Sequence, residues 1–275
     1  MNLDLGDVTL HVRDTGAGTP VVLLPGWPDT GGLWAHQTRT LAAGGYRTIA
    51  PDMRGLGASS KPTDVAAYAL PTLAGDVVGI LDALGVGSAH LVGHDWGAAV
   101  AWVTAATAPD RVASVTALSV GHPSSFAAAG WRQRQLSWYM LLFQFPGVAE
   151  RWLSADDFRN LREWSRHPRA DEVVARLAEP GALTASLAVY RANLPPESLV
   201  TPRPPLPPVT APAMGIWSSE DLALTEENMT ASAKYVAGPW RYERVEGAGH
   251  WLQLDAPDAV DALLLDFLGT VRTGP

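Results

Sequence analysis

A short segment with a glycine at each end constrains the fold of this chain more than any other feature. Residues 93–97 read G-H-D-W-G and stand between an apolar run, residues 89–92, and a stretch of small residues suited to a helix. The pattern is typical of a sharp strand-to-helix turn, which strains its central residue and projects that side chain. It predicts that Asp95 is a nucleophile. The alternative is a plain helix cap, because Asp and Gly are common in turns and at helix N-termini.

Strand-like and helix-like segments alternate on both sides of the chain's middle. The predicted strands cover residues 8–13, 21–24, 46–50, 89–92, 112–120, 213–217 and 241–245, and clear helical periodicity covers residues 73–84 and the segment that begins at 255. Such alternation predicts an α/β fold with a mostly parallel central sheet flanked by helices. Active sites in these sheets lie at the carboxyl ends of strands, where Asp95 falls.

The middle of the chain has a different pattern of predicted secondary structure. Residues 122–199 show mostly helical patterns and no clear strand, and eight prolines then fall between Pro195 and Pro212. Prolines at that density suit neither a helix nor a central strand, so they predict a stiff return linker. We therefore predict a core of residues 1–121 and 206–275, interrupted by a helical lid with its linker over residues 122–205.

Composition excludes several classes of function. The 275 residues suit one α/β domain with an insertion, and the absence of cysteine excludes disulfides, a thiol nucleophile and cysteine metal sites. The net charge of −8 disfavours nucleic acid and anionic membranes as partners. The N-terminal segment lacks the features of a signal peptide, and no apolar stretch is long enough to span a bilayer. We expect a cytoplasmic protein without membrane or nucleic-acid partners, either a monomer or a homodimer.

Two further residues complete a candidate triad with Asp95. A carboxylate nucleophile needs a base to release its ester, and the base needs an orienting partner. In this fold class the order along the chain is nucleophile, acid, histidine. Asp221 follows the strand at 213–217, and His250 lies in a glycine-rich loop before the last helix. The sequence thus predicts a triad of Asp95, Asp221 and His250, with Glu220 as the alternative acid.

Several motifs together resemble the α/β-hydrolase superfamily, and within it the epoxide hydrolases and haloalkane dehalogenases with an aspartate nucleophile. Residues 26–28, G-W-P, are similar to the family's H-G-x-P loop, and residues 52–59, D-M-R-G-L-G-A-S, are similar to its D-x-R-G-x-G-x-S stretch. The resemblance covers nearly the whole chain and implies an α/β-hydrolase fold with a helical lid (cap) domain. One departure is Pro25, which replaces the loop histidine and lacks the imidazole that would hold this loop. The Trp27-Pro28 bond is a candidate cis peptide.

The lid segment favours the epoxide hydrolases. Residues 139–150 read Y-M-L-L-F-Q-F-P-G-V-A-E and resemble that branch's Y-x-x-x-F-Q-x-P-G-V-A-E, which places Tyr139 at one lid tyrosine. Residues 190–193, Y-R-A-N, resemble the segment that bears the second, Tyr190. The alternative for each is an ordinary packed aromatic.

The resemblance implies hydrolysis of an epoxide in two steps. Asp95 would attack a saturated ring carbon while Tyr139 and Tyr190 donate a proton to the departing oxygen. His250, oriented by Asp221, would then activate the water that hydrolyses the ester.

The oxyanion hole and the pocket follow from the same resemblance. Backbone N–H groups of Trp27 and Trp96 would form the hole. The predicted pocket residues are Trp27, Pro28, Trp96, Trp138 and Trp251. The expected partners are a small apolar epoxide and water. This chemistry needs no metal or organic cofactor, and the sequence shows no metal-ligand cluster or phosphate-binding loop.

Two other functions are also compatible with the sequence. A haloalkane dehalogenase would use the same triad, with the Trp96 indole as a halide donor. The residue at position 27 disfavours the dehalogenase function, since many dehalogenases carry an asparagine halide donor at that loop position and this chain has Trp27. A non-catalytic small-molecule-binding protein on this fold is a minor alternative.

Overall fold

An eight-stranded sheet organises the part of the chain that this computed structural model describes, residues 1–199, 201 and 204–271. The strands are β1 (Asn2–Asp4), β2 (Thr9–Thr15), β3 (Thr19–Leu24), β4 (Tyr46–Pro51), β5 (Ala89–His94), β6 (Val112–Leu118), β7 (Ala213–Ser218) and β8 (Trp240–Val245). Their order is β1-β2-β4-β3-β5-β6-β7-β8, with β2 antiparallel to both its neighbours and all later pairs parallel. The predicted mostly parallel sheet is confirmed.

Helices flank the sheet and fill the middle of the chain. The α-helices are α1 (Ala35–Ala43), α2 (Leu70–Ala83), α3 (Trp96–Thr107), α4 (Pro123–Ala127), α5 (Trp131–Leu136), α6 (Trp138–Leu142), α7 (Val148–Ser165), α8 (Ala170–Leu177), α9 (Ala182–Asn193), α10 (Glu226–Thr230), α11 (Leu252–Asp255) and α12 (Pro257–Thr270). Short 3-10 helices cover Gly31–Trp34, Val65–Tyr68, Pro109–Arg111, Pro196–Leu199 and Ala231–Tyr235. None of the helices in the described ranges is long and apolar enough to cross a lipid bilayer.

Apolar clusters on the two faces of the sheet form its core. One cluster includes Ile80 of α2 and Val100 of α3, and the other includes Trp34 and Leu264 of α12. All six residues of β5 are buried, as expected for a strand covered on both faces. The central strands therefore hold the loops at their carboxyl ends in fixed positions.

Those loops meet where the strand order reverses. The chain passes from β3 outward to β4, then returns to β5 on the other side of β3. Such a switch point opens a crevice beyond the carboxyl ends of the two strands. The loop that contains Trp27 follows β3, and Asp95 follows β5, so both border this crevice.

Helices α4 to α9 lie between β6 and β7, and no strand occurs within residues 122–199. This agrees with the mostly helical patterns that the sequence shows over the same residues. Helix α7 is kinked, since residues 155–158 depart from helical geometry. Residues 200, 202 and 203 of the proline-rich linker lie outside the described residues, while Val209 forms a β-bridge with Val236. The division into core and lid at residues 122 and 205 stays a prediction.

Candidate active site

Asp95 occupies a strained turn between β5 and α3. Its φ of 52° and ψ of −122° lie in a region that side chains rarely adopt. A Cβ atom on Gly93 would overlap the carbonyl of Gly97, and one on Gly97 would overlap the carbonyl of Leu24. Only glycine fits at either end, so the strained turn predicted from the sequence is confirmed.

The Asp95 carboxylate is held by the loop after β3. Asp95 is only 7% exposed, and its Oδ1 accepts a hydrogen bond from the Trp27 N–H at 2.9 Å. A Cβ on Gly26 would overlap Asp95, which explains the glycine before Trp27. The loop reaches Asp95 although Pro25 supplies no imidazole, and the Trp27-Pro28 bond is cis as anticipated.

The predicted second donor, the N–H of Trp96, is the first of helix α3. The first N–H groups of a helix have no partner within it and carry the positive end of its dipole. This position suits a donor toward developing negative charge, and the contribution of Trp96 to an oxyanion hole stays a prediction.

His250 lies between two carboxylates. Its Nδ1 is 3.1 Å from Asp221 Oδ2 and 3.2 Å from Oδ1. Its Nε2 is 3.7 Å from Asp95 Oδ2, too far for a hydrogen bond. Asp221 Oδ1 also accepts the N–H groups of Ala223 and Leu224. The structure therefore brings together the predicted triad.

Glu220, the alternative acid, is exposed, whereas Asp221 is turned inward against His250. The two neighbours point in different directions because they form a turn directly after β7. Asp221, and not Glu220, is therefore the acid that contacts His250.

The charges around His250 control its protonation. Burial lowers the pKa of His250, but the negative charges of Asp221 and Asp95 and the hydrogen bond to Asp221 outweigh burial and raise that pKa to about 10. Burial also raises the pKa of Asp221, yet the neighbouring imidazolium lowers it below its usual value. The resting site therefore holds an imidazolium between two carboxylates. Loss of the Asp95 charge would lower the pKa of His250.

The loop of His250 is fixed through its carbonyl oxygen. That oxygen accepts hydrogen bonds from His94 Nε2 at 2.9 Å and from Ser119 Oγ at 3.0 Å. Burial lowers the pKa of His94 to about 4, so its ring is neutral and carries the proton on Nε2. His94 therefore supports the loop.

The lid brings two tyrosines to the same place. Tyr139 of α6 and Tyr190 of α9 are 3% and 2% exposed, with ring centroids 6.1 Å apart. The Tyr190 ring is 5.7 Å from that of Trp27 and 5.1 Å from that of Trp96. Burial, and next the charge of Asp95, raises the pKa of each phenol well above its usual value. Both remain protonated at neutral pH and can donate a proton.

The predicted pocket residues separate into two groups. Trp27 and Trp96 border a small apolar cavity of about 20 Å³ beside Gly97. Pro28 instead borders a cleft of about 470 Å³ between the core loops and lid helix α8, whose lining includes charged side chains of both signs such as Arg169 and Glu172. Of the five predicted positions, only Trp27 and Trp96 therefore border the small apolar cavity, which neither Asp95 nor the two lid tyrosines line.

Trp138 and Trp251 lie elsewhere. Trp138 is 47% exposed and packs its ring against Trp152 and Trp164, on the outer side of α6. Trp251 packs edge-on against His250 at 4.8 Å between centroids. Trp138 is next to Tyr139 in the chain, and Trp251 is next to His250. Adjacent residues in a helix or tight loop nevertheless point in different directions. The assignment of the five residues to the substrate pocket stays a prediction.

Sequence reasoning missed Asp29, which links three parts of the site. It is 4% exposed, and its Oδ2 accepts from Trp251 Nε1 at 2.9 Å and from His167 Nε2 at 3.0 Å. His167 Nδ1 accepts the Arg169 N–H, so Nε2 carries the proton toward Asp29. Asp29 thus joins the loop of Trp27, the loop of His250 and the lid. An acid directly after Pro28, in an otherwise apolar loop, was the available signal.

Replacing Asp29 by asparagine is expected to destabilise the protein by about 3 kcal/mol, because Trp251, His167 and Arg176 lose the buried carboxylate that they share. Burial raises the pKa of Asp29, but hydrogen bonding and charge from His167 outweigh it and lower that pKa below 3.8. A lowered pKa gives stability that is present above pH 3.8 and lost as the pH falls through the folded-state value. Urea unfolding should show the difference between wild type and variant shrinking in acid.

Asp110→Asn is the matched control, since Asp110 is exposed and should change the free energy of unfolding by less than about 0.5 kcal/mol. An Asp29→Asn variant as stable as this control would contradict the linking role.

Metal-ligating residues are not grouped in the described ranges: no three or more His, Asp or Glu side chains there could hold a metal ion. The functional groups that the structure brings together at the site are carboxylates, an imidazole, phenols and backbone N–H groups.

Comparisons with known proteins agree with this geometry. The family model of the alpha/beta hydrolase fold matches residues 19–257. Epoxide hydrolase A of Mycobacterium tuberculosis is 34% identical, covering 97% of this chain and 96% of its own length. An epoxide hydrolase of Caballeronia sordidicola is also 34% identical, covering 96% of this chain and 92% of its own.

Solved structures of epoxide hydrolases are also similar to this chain over nearly its whole length. The Bacillus megaterium epoxide hydrolase in complex with an inhibitor has a TM-score of 0.89 at 26% identity, covering 98% of this chain and 100% of that one. Epoxide hydrolase A of Mycobacterium thermoresistibile has a TM-score of 0.85 at 29% identity, covering 100% of this chain and 99% of that one.

Proposed function

This chain belongs to the α/β-hydrolase fold family and, within it, to the epoxide hydrolases, and we propose that it converts an epoxide to a vicinal diol through an ester on Asp95. The proposal rests on one observation: two buried, protonated lid tyrosines, Tyr139 and Tyr190, lie close enough to Asp95 for its charge to raise the pKa of both phenols. A carboxylate alone can displace many leaving groups, but a strained ring oxygen needs a proton donor as it departs.

In the first step an oxygen of Asp95 attacks one ring carbon from the side opposite the ring oxygen. The carbon–oxygen bond breaks, and the oxygen takes a proton from Tyr139 or Tyr190. The product is a hydroxyalkyl ester of Asp95 and one tyrosinate. The strained backbone of Asp95 presents its carboxylate to the crevice, and Trp27 N–H orients Oδ1 at 2.9 Å.

Ester formation then changes the protonation of His250. Asp95 loses its negative charge, so one of the two carboxylates that raise the pKa of His250 is gone. The imidazolium can now return its proton to the tyrosinate, directly or through water. His250 becomes neutral and therefore a base at the stage when a base is needed.

In the second step neutral His250 takes a proton from water, and the hydroxide attacks the carbonyl carbon of Asp95. The gap of 3.7 Å between His250 Nε2 and Asp95 Oδ2 leaves Nε2 free to bond that water. The tetrahedral oxyanion is stabilised by Trp27 N–H and, we propose, by Trp96 N–H. The ester bond breaks, the leaving oxygen takes the proton of the new carboxyl group, and the diol departs. Asp95 carboxylate and His250 imidazolium are restored.

The dehalogenase alternative finds less support. The indole N–H of Trp27 donates to Ser186 Oγ of α9 at 3.1 Å, so it is engaged with the lid and not directed at a departing halide. The Trp96 ring packs edge-on against Tyr190.

Incubation with styrene oxide and, separately, with 1,2-dibromoethane tests the proposal. We expect diol from the first and no bromide from the second. Bromide without diol would assign the dehalogenase function instead. Neither product from a folded protein, with a panel of other epoxides also unchanged, would favour the non-catalytic binding protein.

Tyr139→Phe is expected to slow ring opening by about 100-fold while ester hydrolysis keeps its rate, because the phenol acts only on the departing oxygen. Rapid mixing in a single turnover separates the two steps, with tryptophan fluorescence as the signal. Tyr46→Phe, at the far end of the sheet, is the control and should leave both rates unchanged. Equal slowing of both steps by Tyr139→Phe would contradict the assigned role.

A further inference from the structure

The outer surface of the lid carries an apolar patch, which we define as Trp131, Trp138, Leu141, Phe145 and Val148. Their exposed fractions are 72%, 47%, 49%, 52% and 44%. Seven large apolar side chains are exposed in the described residues, and five of them belong to this patch, within 18 residues of the chain. Scattered exposed apolar residues are ordinary, but a concentration of large ones marks an interaction surface.

Helix α6 links the patch to the active site. Trp138 and Leu141, three residues apart and so on one side of the helix, are exposed. Tyr139 and Phe143, four residues apart, are buried with ring centroids 5.5 Å apart. The patch is therefore one helix thickness from a proposed proton donor.

Three arginines lie among or next to the patch residues in the chain. Arg132, Arg134 and Arg151 are exposed, and none of them forms an ion pair with any residue that the structure describes. The acid closest in sequence, Glu150, is paired with Arg191 at 2.9 Å.

The next acids along the chain are also paired. Asp156 contacts Arg159 at 2.9 Å, and Asp157 lies 3.8 Å from Arg162. Glu163 of α7 is exposed and forms no ion pair with any described residue, so the free charges between residues 131 and 165 are three arginines against one acid, although the whole chain carries −8.

We propose that this patch docks on the surface of a membrane that contains anionic lipid. Tryptophan and phenylalanine beside arginine are the residues that bind at the boundary between lipid headgroups and acyl chains. Anionic headgroups would neutralise the three arginines. The net charge of −8 argues against attraction of the whole chain, so binding depends on this face and weakens with salt.

A second copy of the chain is the rival occupant. A two-fold symmetric contact on this patch would bring the same arginines of both copies together, and like charges repel. Lipid headgroups remove that repulsion. Docking does not depend on the proposed reaction, but with it the lid would face the phase in which apolar epoxides dissolve.

Cosedimentation with vesicles tests the proposal. One vesicle contains phosphatidylcholine alone, and the other contains phosphatidylcholine mixed with phosphatidylglycerol. We expect binding to the mixed vesicles that falls with added salt. Replacing Arg132, Arg134 and Arg151 together by glutamine should weaken it on the order of 100-fold, from about fivefold for each arginine. Arg39→Gln, an exposed arginine on α1, is the control and should bind like wild type.

The double variant Leu141→Ser and Phe145→Ser tests the apolar part, with Val65→Ser, 38% exposed and outside the lid, as its control. We expect the double variant to lose vesicle binding while its turnover of a dissolved epoxide and its melting temperature match wild type. If it fails to fold, the arginine variant decides.

Three results would overturn the proposal. They are absence of vesicle binding, equal binding to both kinds of vesicle, and self-association without lipid that the double variant abolishes. The last result, seen by sedimentation velocity, would assign the patch to a second copy. Since turnover is measured separately, failure of docking and failure of the proposed reaction are distinguishable.

Discussion

Asp95→Asn is expected to lower kcat by about 10⁴-fold or more, because an amide cannot attack the epoxide carbon to form the ester. Asparagine is nearly isosteric with aspartate and tolerates a positive φ, so it suits the backbone at 52°. Its amide oxygen can still accept the Trp27 N–H. The loss should therefore reflect the missing nucleophile and not a collapsed turn.

Steady-state diol formation measures the effect, and circular dichroism checks the fold. The intact mass must show that the amide persists, since deamidation would restore aspartate. A folded Asp95→Asn protein with its amide intact and a kcat near that of wild type would show that water attacks the epoxide directly.

His250→Gln is expected to stop turnover after the first step and to leave the ester on Asp95. Without the imidazole no group near Asp95 can take the proton of the attacking water, since Asp221 lies on the far side of the ring at 3.1 Å from Nδ1. We expect ester hydrolysis to fall by about 10⁴-fold or more. One equivalent of epoxide should disappear, and little diol should form.

Mass spectrometry of the intact variant should show one added substrate mass, and peptide mapping should place it on Asp95. The double variant Asp95→Asn with His250→Gln is the control and should gain no mass. An unmodified His250→Gln protein after incubation with an epoxide that wild type consumes would contradict the two-step scheme.

Local patterns predicted most of the fold. The strands other than β1 and the helices α2 and α12 carry strong apolar periodicity, and their observed bounds lie close to the predicted ones. Helix α1 was missed because its buried positions are few, Gln37 and Leu41, so it shows no apolar stripe. Strand β1 was missed because three residues that pair only with β2 leave no pattern of their own.

The site likewise contains residues that the sequence predicted and residues that only the folded structure shows. Asp95, Asp221 and His250 follow strands at the ends that a parallel sheet brings together, so order along the chain was enough to select them. Asp29 and His167 are 138 residues apart, and only the folded lid brings them within 3.0 Å. The packing of Trp138 on the outer side of the lid could not be predicted for a related reason, because its orientation depends on how a five-residue helix packs.

A single turnover in water enriched in oxygen-18 tests the central claim most directly. With enzyme in excess over epoxide, water attacks the carbonyl carbon of Asp95, so the label should enter the peptide that contains Asp95. The diol of that first turnover should carry an unlabelled oxygen from the enzyme. A labelled diol together with an unlabelled Asp95 peptide would show that water opens the epoxide without an ester, and would contradict the account.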